Sequence, residues 1–519
     1  MAGMLCWLLL SLACNYPAAR RQPPGLSKEA LRQTLEALPE ATAKIEAPAP
    51  APTGTIPAPA SPLLGLRTAT PGDPQPDSPL VFPLEGEVEP FLYFAQPGDT
   101  LPALALRFGV SPEQIASAEE IPTEAFISPG QLLSIPNILG EIRYPSAVLP
   151  DSEVIYSPST LDFQVHEYAS LAGGYLSTYQ EMVDGELVSG AEIIQRIALE
   201  SSTNPRLLLA FLEYRSQWVR GQPESSQKRS HPIGFYVPNY QGLFRELSLT
   251  VNQLNIAYYG WRSGTFTELK FQDGTLARLS PDLNAGSVAV QHLLAKFYKQ
   301  GDWLEALYGQ AGFLALYTEM FGDAWGRAAQ VEPLFPDGLE QPELELPFQS
   351  GERWSLTGGP HTSWMTGTPR GALDFAPVTG EAACVVSRAW VTASAAGVLT
   401  RSDRNIVALD LDGDGFEQTG WVLFYLHIAD RERVPAETRV NLDDPLGHPS
   451  CERGRSTGTH VHIARKYNGE WIAADGPLPF VMSGWRARNG ARLYEGSLIK
   501  GEQEVWANPG GPRTSIVVR

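Results

Sequence analysis

The 519-residue chain is short of cysteine, histidine and positive charge, and it has no long apolar run. Four Cys are too few to brace a chain of this length as a disulfide scaffold. Only 39 Lys and Arg stand against 58 Asp and Glu, a formal charge of −19. That balance excludes a nucleic-acid binder, which needs a basic surface to pair with phosphates. The most apolar stretch, residues 5–13, falls well short of the roughly 20 residues that span a bilayer. With 43% hydrophobic and 10% aromatic residues the chain still buries real cores, so wholesale disorder is excluded as well. At roughly 150 residues per domain, the length predicts about three units.

The apolar run at 5–13 suits the core of an export signal, assigned to residues 1–20. Ser11-Leu12-Ala13-Cys14 approximates a bacterial lipobox, so Cys14 is a candidate for lipid attachment. Ordinary secretion, with Cys14 discarded, is the other reading open at this point. Either places the chain in the extracellular space or the cell envelope, with a possible lipid anchor to the membrane. Residues 21–90 then read as a Pro/Ala-rich linker. Its stretch 41–90 holds 12 of the 44 prolines, as in Ala47-Pro48-Ala49-Pro50-Ala51-Pro52. Such a composition favours extended polyproline II over packing and makes a semi-rigid spacer.

Order is expected from Phe91. Phe91-Leu92-Tyr93-Phe94 alternates like a strand, and Gln96-Pro97-Gly98-Asp99-Thr100 reads as a turn that ends in a helix cap. Leu101, Leu104, Ala105 and Phe108 keep helical spacing, and Gly109-Val110-Ser111-Pro112 stops that helix and starts another. Pro129-Gly130-Gln131-Leu132 reads as a turn into a return strand. This strand–helix–helix–strand unit at 91–137 resembles the LysM module. The resemblance implies binding of N-acetylglucosamine polymers, chiefly peptidoglycan, in a shallow groove between loops 97–101 and 122–130. Gly98, Asp99, Thr100 and Leu101 are then the glycan-binding candidates.

Residues 150–335 read as helical. Ser189 can cap a helix through Ile193, Ile194, Ile197 and Ala198, and Asn204-Pro205 opens another. Leu293, Leu294, Phe297 and Tyr298 mark a later helix, and Trp303 to Leu307 one more. Glu213, followed by Ser216 and Trp218, faintly resembles the acid of lysozyme-like transglycosylases. It lacks a partner carboxylate and reads better as a helix-end Glu on a solvated face.

From Gly358 onward the texture turns to strands and Gly-rich turns. Five of the eight His fall here: His361, His427, His448, His460 and His462. In a strand, alternate side chains share a face, so His460 and His462 project together about 7 Å apart. Two His and one Asp can supply three zinc ligands and leave a tetrahedral position open, the form of a catalytic site. Zinc lowers a water's pKa toward 7 and polarises a scissile carbonyl, while a neighbouring His moves the proton or binds the developing oxyanion.

The motifs Gly359, His361 and Trp364, Asp374, Tyr425-Leu426-His427, and His460-Val461-His462 resemble the lysostaphin-type zinc metallopeptidases, in particular their beta-lytic branch. The spacing of 13 from His361 to Asp374 matches that branch; the commoner one has a His where Arg370 stands. The resemblance implies one zinc ion on His361, Asp374 and His462, with His427 and His460 as the catalytic histidines. It also implies cleavage of peptidoglycan cross-links in an open groove over a small antiparallel sheet.

Cys384 and Cys451, the only cysteines beyond the leader, are expected to pair in an oxidising compartment. A 67-residue loop closed in this way is stabilised by about 4 kcal/mol in the chain-entropy model. His448 is expected to be structural. Asp410, Asp412 and Asp414 resemble the start of a calcium loop, but Trp421 stands where a calcium loop needs its last Glu. They read better as an acidic hairpin connection.

The fold expected is therefore multidomain α+β: a small βααβ LysM module, an all-helical middle domain at 150–335, and a C-terminal antiparallel β-sheet zinc peptidase domain at 350–480. A C-terminal extension follows at 481–519. The function expected is an exported peptidoglycan endopeptidase. A non-catalytic regulator of another hydrolase and a secreted protease on Gly-rich proteins remain as alternatives.

Overall fold

In the ordered amino-terminal module, the strand Phe91–Phe94 pairs antiparallel with Leu132–Ile135. Between them runs the helix Leu101–Phe108, whose cap is written in the sequence. Thr100 accepts a hydrogen bond from the amide of Ala103, and Gly109 ends the helix at φ 70° in the left-handed region. The second expected helix is only the 3₁₀ turn Pro112–Gln114. Ala116 exchanges two backbone hydrogen bonds with Ser134, which draws the chain onto the sheet edge before another turn can form.

The computed structural model describes residues 89–140, 147–454, 456–510 and 514–519. The expected export leader at 1–20, Cys14 and the expected spacer up to residue 88 lie outside these residues. Among the described residues, no helix is long and apolar enough to cross a membrane.

The middle segment is mainly helical. Ser189 and Glu192 form a reciprocal capping box on Gly190–Ser201, and Asn204 caps Pro205–Ser216, with Pro205 in the first turn. It is not all helix. Gln180–Val183 pairs with Glu186–Ser189, and Glu268–Lys270 with Leu276–Arg278. The first hairpin turns on Asp184-Gly185, both at positive φ, the backbone a two-residue hairpin loop requires. The helix expected to reach Tyr298 stops at Ala295, so Phe297 and Tyr298 lie in the turn beyond it.

A nine-stranded sheet built from antiparallel pairs forms the carboxy-terminal part. Its order runs Arg439–Val440, Gly397–Asp403, Ile406–Asp410, Trp421–Leu426, Val461–Tyr467, Arg370–Pro377, Arg353–Thr362 and Ile516–Val518. Glu470–Trp471 is a side hairpin on Val461–Tyr467. Period-two alternation separates two cores. Leu373, Phe375, Leu423, Tyr425, Val461 and Ile463 face one way, toward Phe348, Trp485 and Leu498. Ala372, Phe424, Leu426, Ala464 and Trp471 face the other way and join the core of the helical segment.

The segment 481–519 adds a second sheet and the edge strand Ile516–Val518, which pairs with Arg353–Thr362. It is part of the same packed body as that sheet. The long helix Leu243–Arg262 clamps the opposite face. Tyr258 Oη donates to Glu470 at 2.8 Å, Tyr259 Oη accepts from the amide of Trp471, and Arg262 pairs with Glu470 at 2.9 Å.

Candidate metal centre

Asp374 and His462 are directly opposite one another on neighbouring strands, Arg370–Pro377 and Val461–Tyr467. Both share a face with Ala372 and Ala464, two residues away on their own strands. His361 arrives from Arg353–Thr362, where irregular pairing between Leu356 and Thr362 turns it toward the other two. Gly358 makes that approach possible. A Cβ there would lie 2.4 Å from Asp374 Oδ2.

The tautomers follow from the partners. His361 Nδ1 is 2.8 Å from Gly359 O, and His462 Nε2 is 2.8 Å from Ser363 O. A carbonyl only accepts, so each of those nitrogens carries the hydrogen and the other nitrogen presents a lone pair. The lone-pair atoms converge: His361 Nε2 lies 3.0 Å from His462 Nδ1, and each is 3.3 Å from Asp374 Oδ1. That carboxylate oxygen is buried and accepts no hydrogen bond. Ligands bonded to zinc at 2.0–2.1 Å in a tetrahedron stand about 3.3 Å apart. The three residues therefore fit a zinc ion in donor type and spacing, and each His is oriented by a carbonyl behind it.

The same contacts set the charge states within the cluster. Burial alone would raise the Asp374 carboxyl, but His361 and His460 hold it well below the ordinary range. Burial pulls the His361 imidazolium down, and the facing Asp374 carries it above its usual value. For His462 burial wins, and the ring is displaced toward the neutral form.

His427 and His460 stand beside this trio, their ring centroids 4.5 Å apart. His427 ends the strand Trp421–Leu426 in the left-handed region, φ 66°, a costly conformation for a non-glycine residue. Its Nδ1 donates to Glu452 O at 3.0 Å, and His460 Nδ1 donates to Gly458 O at 2.7 Å. Each ring thus offers Nε2 as a base, and His460 Nε2 is 3.8 Å from Asp374 Oδ1. Burial, reinforced by His460, pushes the His427 imidazole down to about 3, so it is neutral at physiological pH. A side chain on Gly458 would meet nothing within 4 Å, which leaves the approach to His460 open.

One loop holds both of these histidines. Glu452 and Gly458 supply the two carbonyls, and Cys451 beside Glu452 forms a disulfide with Cys384. Arg453 in the same loop pairs with Glu200 of the helix Gly190–Ser201 at 2.9 Å, and its guanidinium lies over Trp364. The sequence offered no sign of this grip, because neither residue carries a motif. It also gave no sign of Tyr494, whose ring stacks on His361 at 4.1 Å from the segment beyond residue 480. The backbone pairs Gly359 N to Tyr494 O at 2.9 Å, fixing that stack.

Other expected residues sit elsewhere. His448 bonds Ala389 O and Glu432 and packs on Trp390, a structural role. Asp410, Asp412 and Asp414 bring carboxylates together, but Asp410 is satisfied by the amides of Asp412, Gly413 and Gly415, which closes an acidic turn. Glu213, expected on a solvated face, instead accepts the amides of Val219 and Arg220 and ties down the chain after its helix. In the LysM turn Asp99 is buried. Its carboxylate takes the Tyr93 hydroxyl, the Gln96 amide and the Arg107 guanidinium. Leu101 is buried as well, and Gly98 faces Arg262 and Phe335.

Comparison with known proteins matches residues 93–136 to the LysM domain and residues 147–333 to the LasA N-terminal domain. Protease LasA of Pseudomonas aeruginosa is 25% identical over 366 residues, which cover 65% of this chain and 78% of that protein. The beta-lytic metalloendopeptidase of Achromobacter lyticus is 30% identical over 178 residues, covering 33% of this chain and 42% of that one. Among solved structures, the M23 metalloprotease pseudoalterin from the deep sea is 23% identical with a TM-score of 0.27, covering 32% of this chain and 96% of that one. The chain is a metalloendopeptidase related to LasA and the beta-lytic enzymes. It carries a LysM domain ahead of a LasA-type N-terminal domain, the segment read from sequence only as helical.

Proposed function

We propose that the chain is an exported peptidoglycan hydrolase, a zinc endopeptidase that cuts peptide cross-links of the bacterial cell wall and is targeted there by its LysM module. The observation that carries this reading is the convergence of His361, Asp374 and His462 around an unpartnered carboxylate oxygen, with the imidazoles of His427 and His460 beside it. One zinc ion held by that trio supplies Lewis acidity toward the scissile carbonyl and the attacking water. His427 and His460 do the proton work. Their Nδ1 hydrogens are fixed on carbonyls, so Nε2 of one takes the proton of the water and, once protonated, hands that proton to the leaving amine.

The LysM module supplies the glycan contact through the backbone of loop 97–101, with the half-buried Thr100 beside it. Asp99 serves by holding that loop in shape. Tethering makes the encounter of peptidase and peptide intramolecular, so weak glycan affinity still raises local substrate concentration. Export proceeds through the leader at 1–20, placing the chain outside the cell or at the envelope.

The test is incubation of the protein with purified peptidoglycan, following free amino groups and reducing sugar. Amino groups are expected, and they are lost with a chelator. His460→Ala and His427→Ala are expected to lose about 10²–10⁴ in kcat while keeping their zinc content. Reducing ends that persist in those variants would move the chemistry to the helical segment. Release of neither product would defeat the hydrolase reading.

A further inference from the structure

The connection between the helical segment and the peptidase sheet does more than join them. At 335–339 it runs across the LysM module, between the two loops assigned to glycan contact. Phe335 is 4% exposed and stacks on Phe126 of the second loop, with ring centroids 5.4 Å apart and planes 24° apart. On the first loop, a Cβ on Gly98 would lie 3.0 Å from the Phe335 ring and 2.8 Å from the Arg262 guanidinium. The same arginine donates to Pro97 O. Space remains between Gly98, Phe126 and Pro129 on one side and Phe335, Gly338 and Leu339 on the other, but only about 70 Å³. A pocket that takes a small organic ligand measures roughly 300 Å³ or more.

Both ends of this strap are pinned. Asn468 Nδ2 donates to Leu334 O at 2.8 Å, and Gln341 Nε2 donates to Val481 O at 2.7 Å while Arg465 donates to its Oε1. Its middle is open to solvent at Asp337, Gly338 and Glu340. Phe335 itself belongs to an apolar cluster with Trp421, Ile472 and Leu478 of the peptidase part, so the cover is anchored on the domain it precedes.

We propose that in the intact chain the strap 335–339 masks the glycan face of the LysM module, and that wall docking begins only when the strap is cut or lifted. This rests on the reading of that face as a glycan site. The reasoning is that of a two-state equilibrium. If the uncovered state is a minor population, apparent affinity falls by that fraction, and anything that releases the strap restores it. Cutting at the exposed stretch near Glu340 removes the covalent tie between the Phe335 plug and the Gln341 pin, so the plug can swing aside about its remaining anchor at Leu334 while the rest of the fold keeps its contacts.

The experiment uses the full chain in three forms: unaltered, Phe335→Ser, and a chain with a specific protease site introduced at Glu340 and cut after purification. Each is sedimented with insoluble poly-N-acetylglucosamine, with and without soluble N-acetylglucosamine oligomers as competitor. The unaltered chain is expected to pellet weakly, and the other two to pellet at polymer concentrations about ten-fold lower or less, reversed by the oligomers. The cut chain retains every native side chain around the plug, so it decides the matter if Phe335→Ser fails to melt cooperatively. Equal, oligomer-competed binding by the unaltered and cut chains would overturn the masking while leaving the glycan reading intact. No binding by any form would remove the glycan reading, and the masking with it.

Discussion

His361 Nε2 lies 3.0 Å from His462 Nδ1, and both atoms face the same oxygen of Asp374. Each ring has already given its hydrogen to a carbonyl, so two lone pairs and a carboxylate oxygen meet in one small volume. Only a shared proton or a cation makes that arrangement favourable. Zinc that binds the folded chain and not the unfolded one must therefore stabilise it, by about 2.7 kcal/mol at a free concentration a hundred times Kd. Thermal melts with zinc, with chelator, and with zinc restored are expected to rise, fall and recover. A melting temperature indifferent to all three would sink the metal assignment.

Glu200 is the hub of a buried charge cluster that crosses from the helical segment to the loop that carries Arg453. Its carboxylate meets Arg196 of its own helix and Arg404 and Arg453 of the peptidase part. Burial opposes its ionisation, but Arg453, Arg196 and Arg404 hold it below the ordinary range, so it is a carboxylate. Glu200→Ala leaves Arg196 facing Arg404 and Arg453 across the interface without the carboxylate that joins them. The expected loss is about 3–5 kcal/mol of stability, read from denaturant midpoints of the full chain. Amide exchange in 450–454 should quicken in the same variant, since Arg453 ties that stretch to the helix.

His292 predicts an acid limb in the stability profile. Burial, helped by Lys296, pushes its imidazolium down to about 3, far below the ordinary value near 6.5. The unfolded chain then binds the extra proton between those two values, so stability is intact above about 6.5 and falls as pH drops toward 3. At 1.36 kcal/mol per factor of ten in proton affinity, the contribution is at most roughly 4–5 kcal/mol. His292→Gln is expected to flatten the profile over that window. A wild-type slope that survives the substitution would assign the acid sensitivity to other groups.

The bridge Cys384–Cys451 closes 67 residues and anchors the loop that orients His427. Its removal by the double change Cys384→Ser and Cys451→Ser is expected to cost about 4 kcal/mol in the chain-entropy model. Activity should fall more steeply with temperature than in the parent, because the carbonyl of Glu452 loses its nearest covalent support. Matching denaturation curves for parent and variant would contradict this.

Much of the site was legible because its chemistry is carried by residue type and short spacing. His460 and His462 share a face by strand alternation, and Asp374 precedes them on a strand that pairs in register with His462. The helix caps at Thr100, Ser189 and Asn204 were legible for the same reason: a cap is satisfied within three residues. The hairpin at Asp184-Gly185 carried a readable turn signal that the helical pattern around it outweighed. The second LysM helix failed because pairing of Ala116 with Ser134, 18 residues on, overrode a local start signal.

What the sequence offered by itself was the candidate donor set, His361, Asp374 and His462 with His427 and His460, and the expected modular order around it. Those depend on chemical identity and local period, and both are printed in the chain. Tertiary structure alone decided what surrounds them. Carbonyls of Gly359, Ser363, Glu452 and Gly458 choose which imidazole nitrogen is free, and every residue type has a carbonyl. Tyr494 on His361, Glu200 on Arg453 and Phe335 on Phe126 join residues 133, 253 and 209 positions apart. No local pattern encodes such pairs; they exist because folding brings distant surfaces into contact and buries them together.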